Sequence, residues 1–263
     1  MKKEWRYFLL ALGFFTRLPI PSFTDFHESY LNHSTKYFPL IGIIVGVIAA
    51  LSFYLSALVL PHNIAVLISM AASIYYTGAF HEDGLADSTD GFGGGWTSEQ
   101  VLTIMQDSRL GTYGAIALFL ALFSKFQILD SLSKSLIPFV LIAGHALSRL
   151  CAVWVIATLS YVKFNGKSKP LATKIRLADL LLANVFGLLP FTIFLSILFA
   201  SNYSNHLILQ LMLCVVLPIS LAFIWWYNKL KNRLNGYTGD CLGAMQQICE
   251  IAFYFGVLFW PPL

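Results

Sequence analysis

The segment HEDGLADSTDGFGGG at residues 81–95 places four carboxylates within nine positions. Residues 37–108 contain no lysine or arginine that could neutralise them. Asp83, Asp87 and Asp90 follow an i, i+4, i+7 spacing, which puts them on one face if the segment is helical. Such carboxylates repel one another unless a cation lies among them, and hard oxygen ligands favour Mg²⁺, Mn²⁺ or Ca²⁺. The three aspartates are therefore candidate ligands for a divalent metal ion.

Mg²⁺ held by a few carboxylates usually completes its coordination with water and substrate phosphate, so the expected ligand is a phosphate ester or diphosphate. Glu82 lies beside the aspartate face and is interpreted as a further metal ligand, a general base or a bystander. Five glycines, of which Gly94 is the candidate for substrate binding, offer bare backbone that can approach a ligand closely. The alternative is a solvated acidic loop at a helix end. The helical spacing and the glycines weigh against that alternative.

A second segment, QDSRLGTYG at residues 106–114, contains the only cation between Lys36 and Lys125. Arg109 is a candidate for bidentate phosphate binding, and amides of Gly111 and Thr112 at the start of the next helix would add to the site. The alternative is an ion pair between Arg109 and a nearby acid such as Asp107. Both interpretations can hold together.

Two further groups of residues could contribute to the same site. Asp240, in NGYTGDCLGA, precedes the last predicted helix and could cap it or complete the metal site from across the bundle. His145 and Arg149 lie four residues apart within a predicted span, and Glu250 lies in another. Ionisable groups at that depth line polar cavities or pair with one another, so His145 and Arg149 are candidates for substrate binding.

The elements that position these residues are membrane-spanning helices. Of 263 residues, 57% are apolar and 11% are charged, and the mean hydropathy is +0.71, which excludes an ordinary water-soluble domain. The net charge of +4 lacks the basic clustering of a nucleic-acid partner. We predict an all-α, polytopic bundle of about seven spans. Their predicted positions are 38–60, 63–81, 111–129, 136–162, 178–200, 206–227 and 243–260.

The chain is predicted to form one membrane-embedded domain over residues 1–263. Residues 1–30 have basic flanks and an apolar run but no small-residue cleavage site, so they are predicted to be an N-terminal interfacial segment ahead of a transmembrane bundle at 38–260. The four cysteines form no CxxC pair and are interpreted as packing residues.

Orientation follows from the lysines and arginines, which the cytoplasmic side retains. With a cytoplasmic N-terminus, one face holds fourteen of the seventeen and the other holds Lys125 and Lys134, while Arg149 lies within a helix. The acidic segment and residues 235–244 then lie together on the cytoplasmic face. The fourteen are Lys2, Lys3, Arg6, Arg17, Lys36, Arg109, Lys163, Lys167, Lys169, Lys174, Arg176, Lys229, Lys231 and Arg233.

Six blocks in order, from about residue 14 to 244, closely resemble the cobalamin synthase family, the adenosylcobinamide-GDP ribazoletransferases. The resemblance implies a polytopic enzyme of the bacterial inner membrane, with its active site facing the cytoplasm. Such an enzyme transfers adenosylcobinamide phosphate from adenosylcobinamide-GDP to α-ribazole or α-ribazole 5′-phosphate and releases GMP, with Mg²⁺ as cofactor. The blocks are FFTRLPIP, KYFPLIGIIVG, GAFHEDGLADSTDGFGGG, QDSRLGTYG, GHALSRL and GDCLGA.

The resemblance combines with the residue chemistry into one hypothesis. Asp83, Asp87 and Asp90 hold Mg²⁺ on the diphosphate, with Glu82 and Asp240 as further candidate ligands. Arg109 binds a phosphate oxygen, and Glu82 or one of the aspartates accepts the proton of the attacking hydroxyl. The implied partners are the two substrates and the lipid bilayer, and a homo-oligomer or a complex with other enzymes of nucleotide-loop assembly is left open.

Three other functions share part of this pattern. A CDP-alcohol phosphatidyltransferase-like enzyme would share the DGLAD pattern, but Asp87 replaces the arginine of that motif and the second motif lacks its aspartate spacing. A membrane prenyltransferase would need a second acidic cluster where Asp240 stands alone. A cation transporter would place its acids near the bilayer midplane, often within inverted repeats, and no repeat is visible here.

Overall fold

In the computed structural model the chain is built almost entirely of α-helices. The structure describes residues 2–21, 28–162 and 175–260. In these residues it has eleven α-helices and one short 3-10 helix, Thr35–Tyr37. The α-helices are α1 (Lys2–Phe15), α2 (Glu28–Ser34), α3 (Phe38–Ala57), α4 (His62–Thr77), α5 (Phe80–Gly94), α6 (Ser98–Met105), α7 (Thr112–Ser131), α8 (Ile137–Thr158), α9 (Leu177–Ala200), α10 (Asn205–Leu234) and α11 (Gly239–Leu258).

Six helical stretches among the described residues are long and apolar enough to cross a membrane: Tyr30–Ala57 and the helices α7 to α11. The α4–α5 pair forms a seventh only if the two helices count as one span bent by 84°. The predicted class, an all-α polytopic bundle, is therefore confirmed. Most predicted ends agree within a few residues, but α10 continues seven residues past 227, until Asn235 ends it in the left-handed conformation.

The predicted helix at 63–81 is wrong at its C-terminal end. Helix α4 ends at Thr77, where Gly78 adopts φ +68° and donates its amide to the carbonyl groups of Ile74 and Tyr75. Ala79 is also left-handed, with φ +58°. Two successive left-handed residues cannot continue a right-handed helix. The acidic segment consequently forms a separate helix, α5, rather than the end of α4.

The segment after α1 packs on this break. The amide of Arg17 donates to the carbonyl of Tyr76 at 2.7 Å, and its guanidinium lies over the Tyr75 ring. Lys36 makes a second link to α1: its buried ammonium pairs with Glu4 at 2.8 Å and Asp179 at 3.0 Å. The N-terminal helix is thus tied both to the break and to the start of α9.

Helices α8 and α11 form the buried centre of the bundle, while α10 exposes most of its apolar surface. Exposed leucine, isoleucine and valine side chains on α9 and α10 are suited to contact with lipid. The four cysteines are all free, as expected. The predicted interfacial segment includes residues 22–27, and the predicted cytoplasmic loop includes the basic residues of 163–174; both stretches lie outside the described residues.

One end of the bundle collects the elements that carry the candidate site. The Arg233 guanidinium, at the end of α10, donates to the Gly95 carbonyl just after α5 at 2.7 Å. Tyr237, just before α11, donates its amide to the Ser160 carbonyl after α8 at 3.0 Å. The acidic segment and residues 235–244 therefore lie at the same end, as predicted.

The break predicts a specific sensitivity at Gly78. Gly78→Ala forces a Cβ into a left-handed position, where it would lie 2.9 Å from Arg17 Nε, so we expect a loss of about 1 kcal/mol of stability. The measurement is thermal unfolding in detergent. Gly239→Ala is the matched control, because a Cβ there meets nothing within 4 Å. Equal unfolding temperatures for the two variants would contradict the assigned break.

Candidate active site

The site begins where two helices cross without side chains between them. A Cβ on Gly84 of α5 would lie 2.8 Å from the Asp240 carbonyl and 3.2 Å from the Cα of Gly243 in α11. Because both positions are glycine, the two backbones approach much more closely than packed helices ordinarily do. The crossing sets the first turn of α11 against the acid-bearing turns of α5.

This approach brings together three carboxylates, which we call the acid face: Asp83, Asp87 and Asp240. Asp83 is exposed and the other two are half-buried. Asp87 lies within electrostatic range of Asp83 and Asp240, and Asp240 within range of Asp83. Two helices thus contribute hard oxygen donors to one patch of like charge, a combination that a divalent cation would stabilise.

The acid face is not a preformed metal cage. Across the residues that the structure describes, no three His, Cys, Asp or Glu side chains converge as a complete metal-binding group. Mg²⁺ does not need one, since it is commonly held by one or two carboxylates and completes its octahedron with water and substrate phosphate. The donor types of the acid face therefore fit Mg²⁺.

Asp90 is used differently from the other aspartates of its segment. Its buried carboxylate accepts the amide of Gly111 at 2.7 Å through Oδ2 and the amide of Gly114 at 2.9 Å through Oδ1. The free amides and positive dipole end of α7 account for this contact. The predicted metal role of Asp90 has no support in this geometry, and the Gly111 amide expected to bind phosphate is already engaged.

Arg109 lies on the surface with its side chain held by a neighbour. Its Nε and Nη2 atoms donate to the Asp107 carboxylate at 2.9 Å and 2.5 Å, as one of the two sequence interpretations predicted. These hydrogen bonds lower the pKa of Asp107 to about 2, so the pair stays charged at neutral pH. Arg109, Thr112 and Gly94 are all exposed at this end, where a bound substrate can reach them.

Asp240 does not precede the last helix as predicted. Thr238 is the N-cap of α11, with its hydroxyl accepting the Cys241 amide, and Asp240 lies in the first helical turn. Threonine satisfies the helix end as well as aspartate can. The Asp240 carboxylate therefore does not cap the helix, which was one of the two roles that the sequence suggested.

Beneath the acid face lies an interior polar network centred on Glu250. Lys125 Nζ contacts Glu250 Oε1 at 2.8 Å, and the Tyr254 hydroxyl donates to the same oxygen at 3.1 Å. His145 Nδ1 lies 3.2 Å from Oε2, and the Gln246 amide donates to that oxygen. Both Glu250 oxygens are thus fully satisfied, as a charge at this depth requires.

Glu82 belongs to this network and not to the acid face. Lys125 Nζ donates to Gln247 Oε1 at 2.7 Å, and Gln247 Nε2 donates to Glu82 Oε1 at 3.1 Å. The second Glu82 oxygen is buried and has no hydrogen-bond partner. Glu82 therefore points into the bundle, although it directly precedes the exposed Asp83.

The network also contains His145 and Arg149, which the structure buries away from the acid face. Arg149 Nη1 lies 3.3 Å from His145 Nδ1 and also donates to the His145 carbonyl at 3.0 Å, so the groups within the spans pair with one another, one of the two arrangements expected. Lys125 was predicted on the outer face and is instead 5% exposed inside the bundle. The sequence signal that reveals it is a lone lysine in an apolar helix that could pair with Glu250 in another.

Comparisons with known proteins agree with this architecture. A family model described as Cobalamin-5-phosphate synthase matches residues 7–258. The chain belongs to this family. It is 40% identical over 265 residues to an adenosylcobinamide-GDP ribazoletransferase of Ralstonia pickettii, covering 99% of this chain and 98% of that protein. It is 42% identical over 267 residues to the protein of the same name from Shewanella piezotolerans, with 98% and 96% covered. No solved structure matches the chain.

Asp90 and Asp83 of α5 differ in their contacts, which predicts different effects of their substitution on stability. Asp90→Asn turns an amide group towards the amides of Gly111 and Gly114, so we expect a loss of about 1–3 kcal/mol of stability. Asp83→Asn, at an exposed position, should leave the unfolding temperature in detergent unchanged. If both variants unfold at the wild-type temperature, Asp90 does not anchor α7.

The interior network predicts that one substitution can compensate for the loss of stability caused by another. Lys125→Met leaves the Glu250 charge buried without its cation and should cost about 3–5 kcal/mol of stability. Adding Glu250→Gln removes that charge, so the double variant should regain most of the loss in a thermal unfolding assay. A double variant less stable than Lys125→Met would rule out the buried ion pair.

Proposed function

We propose that the protein is an adenosylcobinamide-GDP ribazoletransferase, which transfers adenosylcobinamide phosphate to α-ribazole or α-ribazole 5′-phosphate and releases GMP. The observation that carries the proposal is near-full-length similarity to proteins of that name. The chemistry cleaves one phosphoanhydride bond: an acceptor hydroxyl attacks the phosphorus that stays on cobinamide, and GMP takes the electron pair of the broken bond. Catalysis of such a transfer consists mainly of positioning and charge neutralisation.

The acid face is the proposed Mg²⁺ site. Asp83, Asp87 and Asp240 are the residues proposed to hold the ion, and their hard oxygen donors and mutual repulsion support the assignment. The ion would neutralise charge on the diphosphate and on the departing GMP. This set keeps Asp83, Asp87 and Asp240 of the sequence hypothesis and leaves out Asp90 and Glu82, because the side chains of those two residues make contacts elsewhere in the protein.

The remaining roles fall to residues at the same end. Arg109 exchanges Asp107 for a phosphate oxygen, and Gly94 and Thr112 are exposed at the same end of the bundle. A carboxylate of the acid face accepts the proton of the acceptor hydroxyl, since the inward direction of Glu82 removes it from that task. His145 holds Glu250 and supports the site from within the bundle rather than touching substrate.

The proposed location is the bacterial inner membrane with the acid face towards the cytoplasm. The basic C-terminal end of α10, with Lys231 and Arg233 in its last turn, lies beside the end of α5, and the positive-inside rule supports placing that end in the cytoplasm. Broad apolar faces on α9 and α10 are suited to lipid and are also compatible with a homo-oligomer or with other enzymes of nucleotide-loop assembly.

The test is GMP release by purified protein in liposomes. We expect release only when adenosylcobinamide-GDP, α-ribazole or its 5′-phosphate, and Mg²⁺ are all present, and loss of release on chelation with EDTA. Asp87→Asn should lower kcat by roughly 10²-fold or more, because it removes charge from the acid face.

The control for these measurements is Asp130→Asn, an acid near the C-terminal end of α7, opposite the end that contacts Asp90, which should retain wild-type turnover. Release of GMP without acceptor would indicate a hydrolase. Wild-type turnover and Mg²⁺ dependence in Asp87→Asn would refute the proposed metal site.

A further inference from the structure

An aromatic cavity lies beside the crossing of α5 and α11. Its walls are the rings of Phe14, Phe15, Phe38 and Phe80, together with His81. The His81 and Phe15 rings stack with centroids 5.9 Å apart and planes inclined by 14°, and Phe15 meets Phe38 edge-on at 4.4 Å. The enclosed volume is about 40 Å³. Walls of this type suit a flat, apolar ring system.

Arg149 and Gln246 supply a polar side to the same cavity. Arg149 is 2% exposed; its Nη1 binds His145, but its Nε is buried without a partner. Gln246 has no such spare capacity, since its amide nitrogen binds Ser148 and Glu250 and its oxygen accepts from Gln247. A buried donor of a charged group strongly favours a partner, so Arg149 Nε is the position where a ligand acceptor atom would bind.

The cavity and the acid face lie on adjacent sides of one crossing. Gly243, which touches Gly84 there, also borders the cavity, and so does Gly239, directly before Asp240. A Cβ at Gly239 would meet nothing within 4 Å. A ligand seated among the rings therefore has open space through which to extend towards Asp240.

We propose that this cavity binds the benzimidazole base of the acceptor, an inference that rests on the proposed function. The base of α-ribazole is a flat, apolar, two-ring system with a single unsubstituted ring nitrogen, which is a hydrogen-bond acceptor. The aromatic walls stack against the rings, and Arg149 Nε donates to that nitrogen. The ribose then emerges past Gly239, which brings its hydroxyl to the acid face.

Phe14 is the wall residue whose side chain moves when the base binds. The enclosed space is smaller than a two-ring base, and Phe14 has a 40% exposed ring whereas Phe15 and Phe38 are buried. Phe14 is the next-to-last residue of α1, outside the central bundle. Acceptor binding therefore displaces a ring at the mouth and leaves the buried walls and Arg149 in place.

The first experiment compares two acceptors within each variant, so that any loss of folded protein cancels. Wild type should prefer benzimidazole riboside to indole riboside, in which a C–H replaces the ring nitrogen, by about tenfold or more in kcat/KM. Arg149→Met should bring that ratio close to one. An unchanged ratio in Arg149→Met would overturn the assignment.

The second experiment uses the exposed mouth, where folding is not at stake. Phe14→Trp should raise the KM for α-ribazole roughly three- to tenfold by crowding the mouth, with the KM for adenosylcobinamide-GDP unchanged. Phe119→Trp, the same change at a more exposed phenylalanine on α7, should alter neither KM. If Arg149→Met does not fold, Phe14→Trp is the deciding variant. An unchanged KM for α-ribazole in Phe14→Trp would also overturn the assignment.

These outcomes separate the two proposals. If wild-type protein releases no GMP with donor, α-ribazole and Mg²⁺ together, the proposed function fails. If wild type turns over while both variants keep wild-type acceptor preferences, the function stands and only the location of the base is wrong.

Discussion

The contact between Gly84 and Gly243 is the constraint on which the candidate site depends. Only a pair of glycines lets α5 and α11 approach until the backbone of one helix touches the other. That approach creates the acid face from two distant parts of the chain and leaves the aromatic cavity on an adjacent side of the crossing. A side chain at Gly84 would separate the carboxylates, because its Cβ would lie 2.8 Å from the Asp240 carbonyl and the helices could no longer close on each other.

Helix α5 carries its acidic residues at the edge of an apolar bundle because three of its faces are held in place by different contacts. Glu82 is held inward by Gln247, Asp90 is held sideways by the amides of α7, and the glycine crossing holds the remaining face against α11. Each acid of the segment therefore has its own environment. Paired charges stabilise the fold. Asp83 and Asp87 still repel each other and can therefore bind a cation.

The sequence predicted the helical class and most span positions, because apolar length is a local property. It did not predict the break at Gly78 and Ala79, since nothing in a single alanine signals a left-handed backbone. The i, i+4, i+7 stripe correctly placed Asp83, Asp87 and Asp90 within electrostatic range along one helix. It did not reveal that the Asp90 carboxylate binds amides more than twenty residues away. Lys125 was misplaced for the same reason: its partners, Gln247 and Glu250, are long-range.

The separation of Lys125 from those partners has a consequence for biosynthesis. Gln247 follows Lys125 by 122 residues, so α7 emerges from the ribosome and inserts well before α11 exists. During that interval the ammonium lacks both of its α11 partners and can reach towards the interface along its flexible stem. The buried position of Lys125 in the folded protein therefore depends on the last helix, which supplies both partners.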